Sequence, residues 1–348
     1  DFALYRAWVG ADGMPSDPAP ENVPFRPEHW LKIGVDGVEE GDFVMVVGYP
    51  GRTNRYRLAS EVAEAIEWTY PERVALRTES LEIIDRETEG RPEAAIAYAA
   101  TVSYLNNSLK NAQGMLAGFA YSESVERKRV IEAQLAEWIA ADPERQARWG
   151  DALIELQAVL DEKSLHRARD QVFASLKYNQ LVGVANRSYR LARERELPDG
   201  ERKPGYQERD MARIRARVAR MSRSFDAQVD QARLQSTLEH YAALPDAERP
   251  AVMDEWFGLD GTTDSATAIA ARLDTMYGGT SLVDADKRMA LLDADRATLE
   301  ASEDPFVQFA VAMYDTNMAL EAEDEAIKGQ LLEARPPFME AHLAFRKA

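Results

Sequence analysis

Several features are missing from this 348-residue sequence, and each absence narrows what the chain can do. It has no cysteine, which excludes disulfides and thiolate zinc sites without fixing the compartment. Its four histidines, His29, His166, His240 and His342, stand far apart, and none has a partner four residues away. HExxH and every other zinc spacing are therefore missing, structural or surface histidines are the expectation, and neither metal nor cofactor is expected. No apolar run approaches the roughly 18–20 residues of a membrane span, so no membrane span is expected. Neither GxSxG nor GDSGG occurs, so no catalytic triad can be assembled from the residues alone. No fixed-period repeat is visible, which argues against a solenoid. An initiating Met and a signal peptide are also missing, so Asp1 is read as an internal cut in a longer chain.

What is present points to a helical globular chain. Hydrophobic residues make up 45% and charged residues 29%, enough for a sizeable core with a well-solvated surface. Acidic residues outnumber basic ones by 60 to 42, for a net charge of −18. That balance argues against a nucleic-acid backbone or an anionic membrane surface as the main partner.

The organisation changes once along the chain. Asp1 to Val9, Trp30 to Val35 and Gly41 to Val47 have strand length and composition, and Phe43 to Val47 reads as a buried strand. Four prolines between positions 15 and 24 make the intervening segment an extended surface loop. Three strands are too few for a stable sheet, and they are expected to belong to a barrel with strands elsewhere. From Leu58 onward the apolar period becomes helical. Helices are expected over Ala59 to Trp68, Glu72 to Glu87, Ala94 to Ser122 and Ser124 to Ala140, then Glu144 to Lys163 and Leu165 to Glu196. Shorter helices follow to the C-terminal end, with Pro336-Pro337 closing one and Phe338 opening another. The expected fold class is mainly α, a large irregular helical domain attached to a strand-rich stub. The expected boundaries are 1–57 for the strand segment, 58–335 for the helical domain and 336–348 for a return segment.

Three patterns carry candidate chemistry. Gly48 to Gly51 lies between strand and helix like a phosphate loop but lacks GxxxxGK[ST] and GxGxxG, and a tight turn explains it. The arginines from Arg209 to Arg223 could bind acidic partners or nucleic acid. They are interleaved with Ile214, Val218 and Met221, as in an amphipathic helix whose polar side is solvated or faces another domain. Asn106, Asn107, Lys110 and Asn111 lie within an apolar-periodic helix, where Asn is disfavoured. Asn107 and Asn111 share a face, and such a strip either satisfies itself internally or lines a cavity that holds a ligand.

Three segments together carry a family resemblance: Asp1-Phe-Ala-Leu-Tyr-Arg6; Gly41-Asp-Phe-Val-Met-Val-Val-Gly-Tyr-Pro-Gly-Arg-Thr-Asn-Arg-Tyr56; and Asn107-Ser-Leu-Lys-Asn-Ala-Gln-Gly-Met115. In order and spacing they resemble the bacterial dipeptidyl-peptidase 7 and dipeptidyl-peptidase 11 family, which includes dipeptidyl aminopeptidase BII. The resemblance implies a chymotrypsin-like double β-barrel with an inserted α-helical domain that caps the cleft. It implies serine exopeptidases that remove dipeptides from peptides with a free N-terminus, as periplasmic or surface-associated homodimers. It also implies that Asp1 is the triad aspartate and that Asn107 holds the substrate's terminal amine. The family's histidine segment and its GNSGSP-type serine segment are not among these residues. The chain alone is therefore expected to be inert, and side-chain preference cannot be read from it. Two other classes compete, a non-catalytic helical binding or scaffold domain and, more weakly, a helical lyase or transferase with its own site. An unpaired strand stub is a liability to a free-standing scaffold, and no acid, base and nucleophile cluster supports a separate enzyme.

Overall fold

The computed structural model describes residues 5–45, 47–48 and 54–348. The chain is mainly α and divides into two units, Asp1–Asn54 and Arg55–Ala348.

In the first unit the described residues form one antiparallel pair, β1 (Trp8–Val9) with β2 (Val23–Pro24), in the register Trp8 opposite Pro24 and Val9 opposite Val23. The expected strand over Trp30 to Val35 does not form, and Gly41–Met45, Val47 and Gly48 are not in a strand either. Phe43, expected in a buried strand, is 91% exposed, and Leu31, Ile33, Val35, Val44, Met45 and Val47 are exposed with it. The reason is physical: a strand satisfies its backbone only across a ladder and hides its apolar face only under another layer. Among the described residues this unit supplies neither. The first segment of the strand reading, up to Leu4, and the turn at residues 49–53 lie outside the described residues.

The second unit holds sixteen α-helices. Helix α1 (Ala59–Glu64) passes through one π turn (Ala65–Thr69) straight into α2 (Tyr70–Thr88). Pro71 was expected to separate two helices. It sits in the first turn of α2, and the wide turn before it relieves the clash between its ring and the preceding carbonyls. Gly90, at φ +68°, turns the chain into α3 (Pro92–Ala120), which packs along α2 as a hairpin.

Then come α4 (Ser124–Ala140), α5 (Pro143–Trp149), α6 (Ala152–Leu165), α7 (Arg167–Tyr178) and α8 (Gln180–Glu194). The segments 144–163 and 165–196, each expected as one helix, are thus two apiece. Asn179 causes the second break, because its Oδ1 accepts from the Val182 N–H at 3.0 Å and starts a new helix. Gly183 makes that corner possible, since a Cβ there would lie 3.0 Å from the Lys177 carbonyl.

Helices α9 (Met211–Met221), α10 (Ala227–Ala242), α11 (Ala251–Phe257), α12 (Ser265–Gly279), α13 (Ala285–Leu291), α14 (Arg296–Glu300) and α15 (Pro305–Ala312) build the main core with α7 and α8. Leu181, Leu234, Tyr241, Ile269, Leu273 and Phe306 are at its centre. Asp304 caps α15 through the Phe306 N–H at 3.1 Å and also accepts from the Thr280 hydroxyl and the Ser281 N–H.

The last helix, α16 (Tyr314–Phe345), runs unbroken through Pro336 and Pro337. The expected stop is corrected by its neighbours. Ala334, Phe338 and Ala341 bury against Leu135, Ile139 and Leu156 of α4 and α6. The carbonyls that two prolines leave unpaired belong to Leu332 and Glu333, whose side is exposed and open to water.

Candidate substrate-binding face

The site residues expected from the sequence are Asp1 and Asn107. Asp1 lies outside the described residues. Asn107 sits in the middle of α3 and can be placed from the helix geometry. Tyr98, Val102, Leu105, Leu109, Ala112, Leu116 and Phe119 recur at alternating intervals of four and three, a continuous apolar seam. Of these Tyr98, Leu105 and Ala112 are buried. Asn107 lies two residues past Leu105, about 200° around the helix, and therefore faces away from α2.

The structure agrees and corrects one expectation. Asn107 and Asn111 are exposed, so the polar strip is not on a buried helix and needs no internal partner. Asn106 turns inward and donates Nδ2–H to the Val102 carbonyl at 3.0 Å. Neither Asn107 nor Asn111 has a side-chain hydrogen bond among the described residues, and Lys110 has no ion pair there.

The same face continues through Gly114 and Gly118, where an added Cβ would meet nothing within 4 Å. Glycine in a helix interior costs about 1 kcal/mol relative to Ala. Asn107, Asn111, Gly114 and Gly118, spaced four, three and four apart, thus form a stripe with two amides at one end and bare backbone at the other. Tyr104 and Tyr121 stand exposed beside its two ends. Chemically the stripe offers carbonyl acceptors and amide donors with room for another chain to lie against it.

Behind Tyr104, a cavity of about 490 Å³ lies between α2, α3, α7 and α10. Arg77 and Arg233 line it opposite Glu72, Glu79 and Asp230, so both signs of charge are present. Ser236 Oγ donates to Glu79 at 2.6 Å, and His240 Nε2 lies 2.7 Å from the other oxygen. Burial works to raise the Glu79 pKa, but the hydrogen bonds from Ser236 and His240 outweigh it and hold the carboxyl below its usual range. The trio has the composition of a hydrolytic triad without its order. The carboxylate stands between Ser236 and His240, so the imidazole cannot take the serine proton. These contacts join α2 to α10 and are structural.

Asp230 is fully buried, accepting from the Gln180 N–H at 3.0 Å and the Tyr277 hydroxyl at 2.7 Å. Burial pushes its pKa up despite those bonds. His342 packs edge-on to Tyr56 at 5.5 Å, and burial lowers its pKa. Among the described residues no group of three or more His, Cys, Asp or Glu could hold a metal, and no helix is long and apolar enough to cross a membrane.

The chain is mainly helical with an exposed amide stripe on one long helix, and comparison with known proteins shows the family to which it belongs. The Peptidase S46 family matches residues 1–348, and the chain belongs to that family. It is 37% identical to an Asp/Glu-specific dipeptidyl-peptidase of Shewanella putrefaciens over all 348 residues, which are 46% of that protein. It is 30% identical to dipeptidyl-peptidase 7 of Capnocytophaga gingivalis over 188 residues, 53% of this chain and 26% of that one. The fold is similar to Porphyromonas endodontalis DPP11, solved in complex with the dipeptide Arg-Glu. The TM-score is 0.72 at 22% identity, covering 99% of this chain and 48% of the other. The chain spans about half the length of the relatives it matches.

Proposed function

We propose that these residues are part of a serine-type dipeptidyl-peptidase that releases dipeptides from peptides with a free N-terminus, and that Asn107 holds the substrate's terminal ammonium. The family match over residues 1–348 supports the reaction class. The observation that carries the residue assignment is the exposed, unpartnered amide of Asn107 in the middle of a long, packed helix.

The mechanism follows from charge and distance. An ammonium has only donors, and the Asn107 carbonyl oxygen is a fixed acceptor. A fixed acceptor two residues from the scissile bond sets the register of cleavage, because only the second peptide bond then meets the nucleophile. An N-acetylated peptide lacks the cation and is poorly held. Asp1 would take the role of the triad carboxylate. It would orient the catalytic histidine and stabilise the imidazolium that forms as the serine attacks, without itself taking up the proton. The histidine and serine segments of the family are not in these 348 residues, so the chain by itself carries out no hydrolysis.

In this reading residues 1–57 belong to the peptidase barrel, 58–335 form the cap over the active-site cleft, and 336–348 lead back toward the second barrel. The enzyme that contains them works as a periplasmic homodimer.

The test uses the full-length enzyme containing this chain, with dipeptidyl reporter substrates bearing free and acetylated N-termini. Asn107→Ala is expected to raise KM by about tenfold or more, the loss of one charge-assisted hydrogen bond of about 1.5–3 kcal/mol. Asp1→Ala is expected to lower kcat by at least about 10⁴-fold. Equal cleavage of acetylated substrates would refute the role of Asn107, and full activity of Asp1→Ala would refute the triad assignment.

A further inference from the structure

The arginine-rich segment carries a second binding surface. Lys177 of α7, Arg187 of α8, and Arg217 and Arg220 of α9 line one groove of about 860 Å³, closed on its far side by α16. Among the described residues none of these four makes an ion pair or a side-chain hydrogen bond, in a chain where acidic residues outnumber basic ones by 60 to 42.

The carboxylates of the groove do not compensate them. Asp170 is held by Arg169 at 2.9 Å, Glu321 by Arg190 at 2.7 Å and by Lys203 at 3.5 Å, and Asp324 by Lys328. All four of those cations lie outside the groove lining. Helix α9 shows the same division along its own length. Arg213 pairs with Asp210 and Arg215 with Asp293, whereas Arg217 and Arg220, turned toward the groove, pair with nothing described.

On the groove floor, half-buried Met221 and Leu320 lie between the cations, over the buried Phe173, Val184 and Val218 of the main core, and Tyr178 stands exposed at the edge. We propose that this groove is a docking site for an acidic peptide segment with interspersed apolar side chains. The free cations receive its carboxylates, and the floor receives its apolar residues. A nucleic acid fits less well. The chain's net charge of −18 opposes a long polyanion, and the apolar floor would stay uncovered under a phosphate backbone. The groove contains neither Asn107 nor its neighbours on α3, so the inference does not depend on the peptidase reading.

Fluorescence anisotropy with the full-length enzyme containing this chain, using peptide probes blocked at the N-terminus by the label, tests it. The probes are a labelled short peptide alternating Glu and Leu, its Lys-for-Glu counterpart, and a single-stranded oligonucleotide of equal charge. The acidic peptide is expected to bind more tightly than either of the other probes, and less tightly as salt rises. Arg217→Glu with Arg220→Glu is expected to weaken it by about tenfold or more, which is about 1.4 kcal/mol. Arg217→Gln with Arg220→Gln, checked for an unchanged helical circular dichroism spectrum, is expected to weaken it less. Arg129→Glu, on α4 and outside the groove, is expected to leave it unchanged. Unaltered binding in both the Glu and Gln double variants would overturn the proposal. So would an oligonucleotide bound as tightly as the peptide, which would make the surface a general polyanion site.

Discussion

The two units of the chain contain similar apolar residues and treat them in opposite ways. From residue 5 to 54 no described residue is buried, although Leu31, Ile33, Val35, Phe43, Val44 and Met45 are all apolar. From residue 55 on, the apolar residues close into one large core and three smaller clusters. The difference lies in where the partners come from. A helix satisfies its own backbone, and the segments that cover its apolar face follow within a few dozen residues. A strand takes both its hydrogen bonds and its cover from other strands, which can lie anywhere in sequence. The contrast teaches that an apolar period states a demand for burial, and only the remaining architecture says where that demand is met.

Removing one phenylalanine ring from each unit would break the comparison most directly. Phe306, at 0% exposure in the main core, is expected to cost about 3–5 kcal/mol in urea unfolding when changed to Ala. Phe43→Ala is expected to change stability by no more than about 0.5 kcal/mol. A comparable cost at Phe43 would show that the first unit hides that ring in solution.

Caps come next. Asn179→Ala removes the acceptor that starts α8 and is expected to cost about 0.5–2 kcal/mol, read as a lower urea midpoint with an unchanged slope.

A pH series sharpens the electrostatics of the second unit. Glu79 has a folded pKa below its unfolded one, so its contribution is complete above the ordinary carboxylate range and is lost as pH falls through the folded value. Asp230 is raised by burial, so its cost is complete above its folded pKa and is relieved as pH falls through it. Glu79→Gln is expected to flatten the acid side of the stability profile and Asp230→Asn the region above it. Profiles that superimpose on the unmodified chain would contradict both assignments.

The smallest expected effect is at Asn107. Asn107 is exposed and has no side-chain partner among the described residues, so Asn107→Ala should change the unfolding free energy by no more than about 0.5 kcal/mol, while the role proposed above requires that substrate capture in the full-length enzyme fall. A large loss of stability would make the residue structural.

Much of the helical unit was legible. The seam of α3 could be read from Tyr98, Val102, Leu105, Leu109, Leu116 and Phe119, and α4 was read to the residue. The amphipathic reading of the arginine-rich helix holds, with Ile214 and Val218 buried. What escaped were decisions made by tertiary contacts. Asn179 looks like an ordinary polar residue within a helix until its side chain caps the next one. Pro336 and Pro337 look like a stop until Phe338 and Ala341 bury on the far side. The exposure of Asn107 was implicit in its spacing from Leu105, yet the apolar run around it left only an internally satisfied strip or a cavity lining as readings. The unpaired cations of the groove had no signal in sequence, because which arginine meets which carboxylate depends on how α7, α8, α9 and α16 pack.

Because Asn107 is carried by a helix and not by a loop, its position is indexed by a count of residues. One residue inserted between Tyr98 and Asn107 would rotate everything beyond it by about 100° and advance it by about 1.5 Å. The amide would then swing off its face while the composition of the helix barely changed. The turn from Tyr121 to Glu123 has no such periodicity to preserve. On the role proposed for Asn107, the length of α3 ahead of it is therefore the quantity that variation can least afford to alter, and chimeras that exchange this helix should join at its ends.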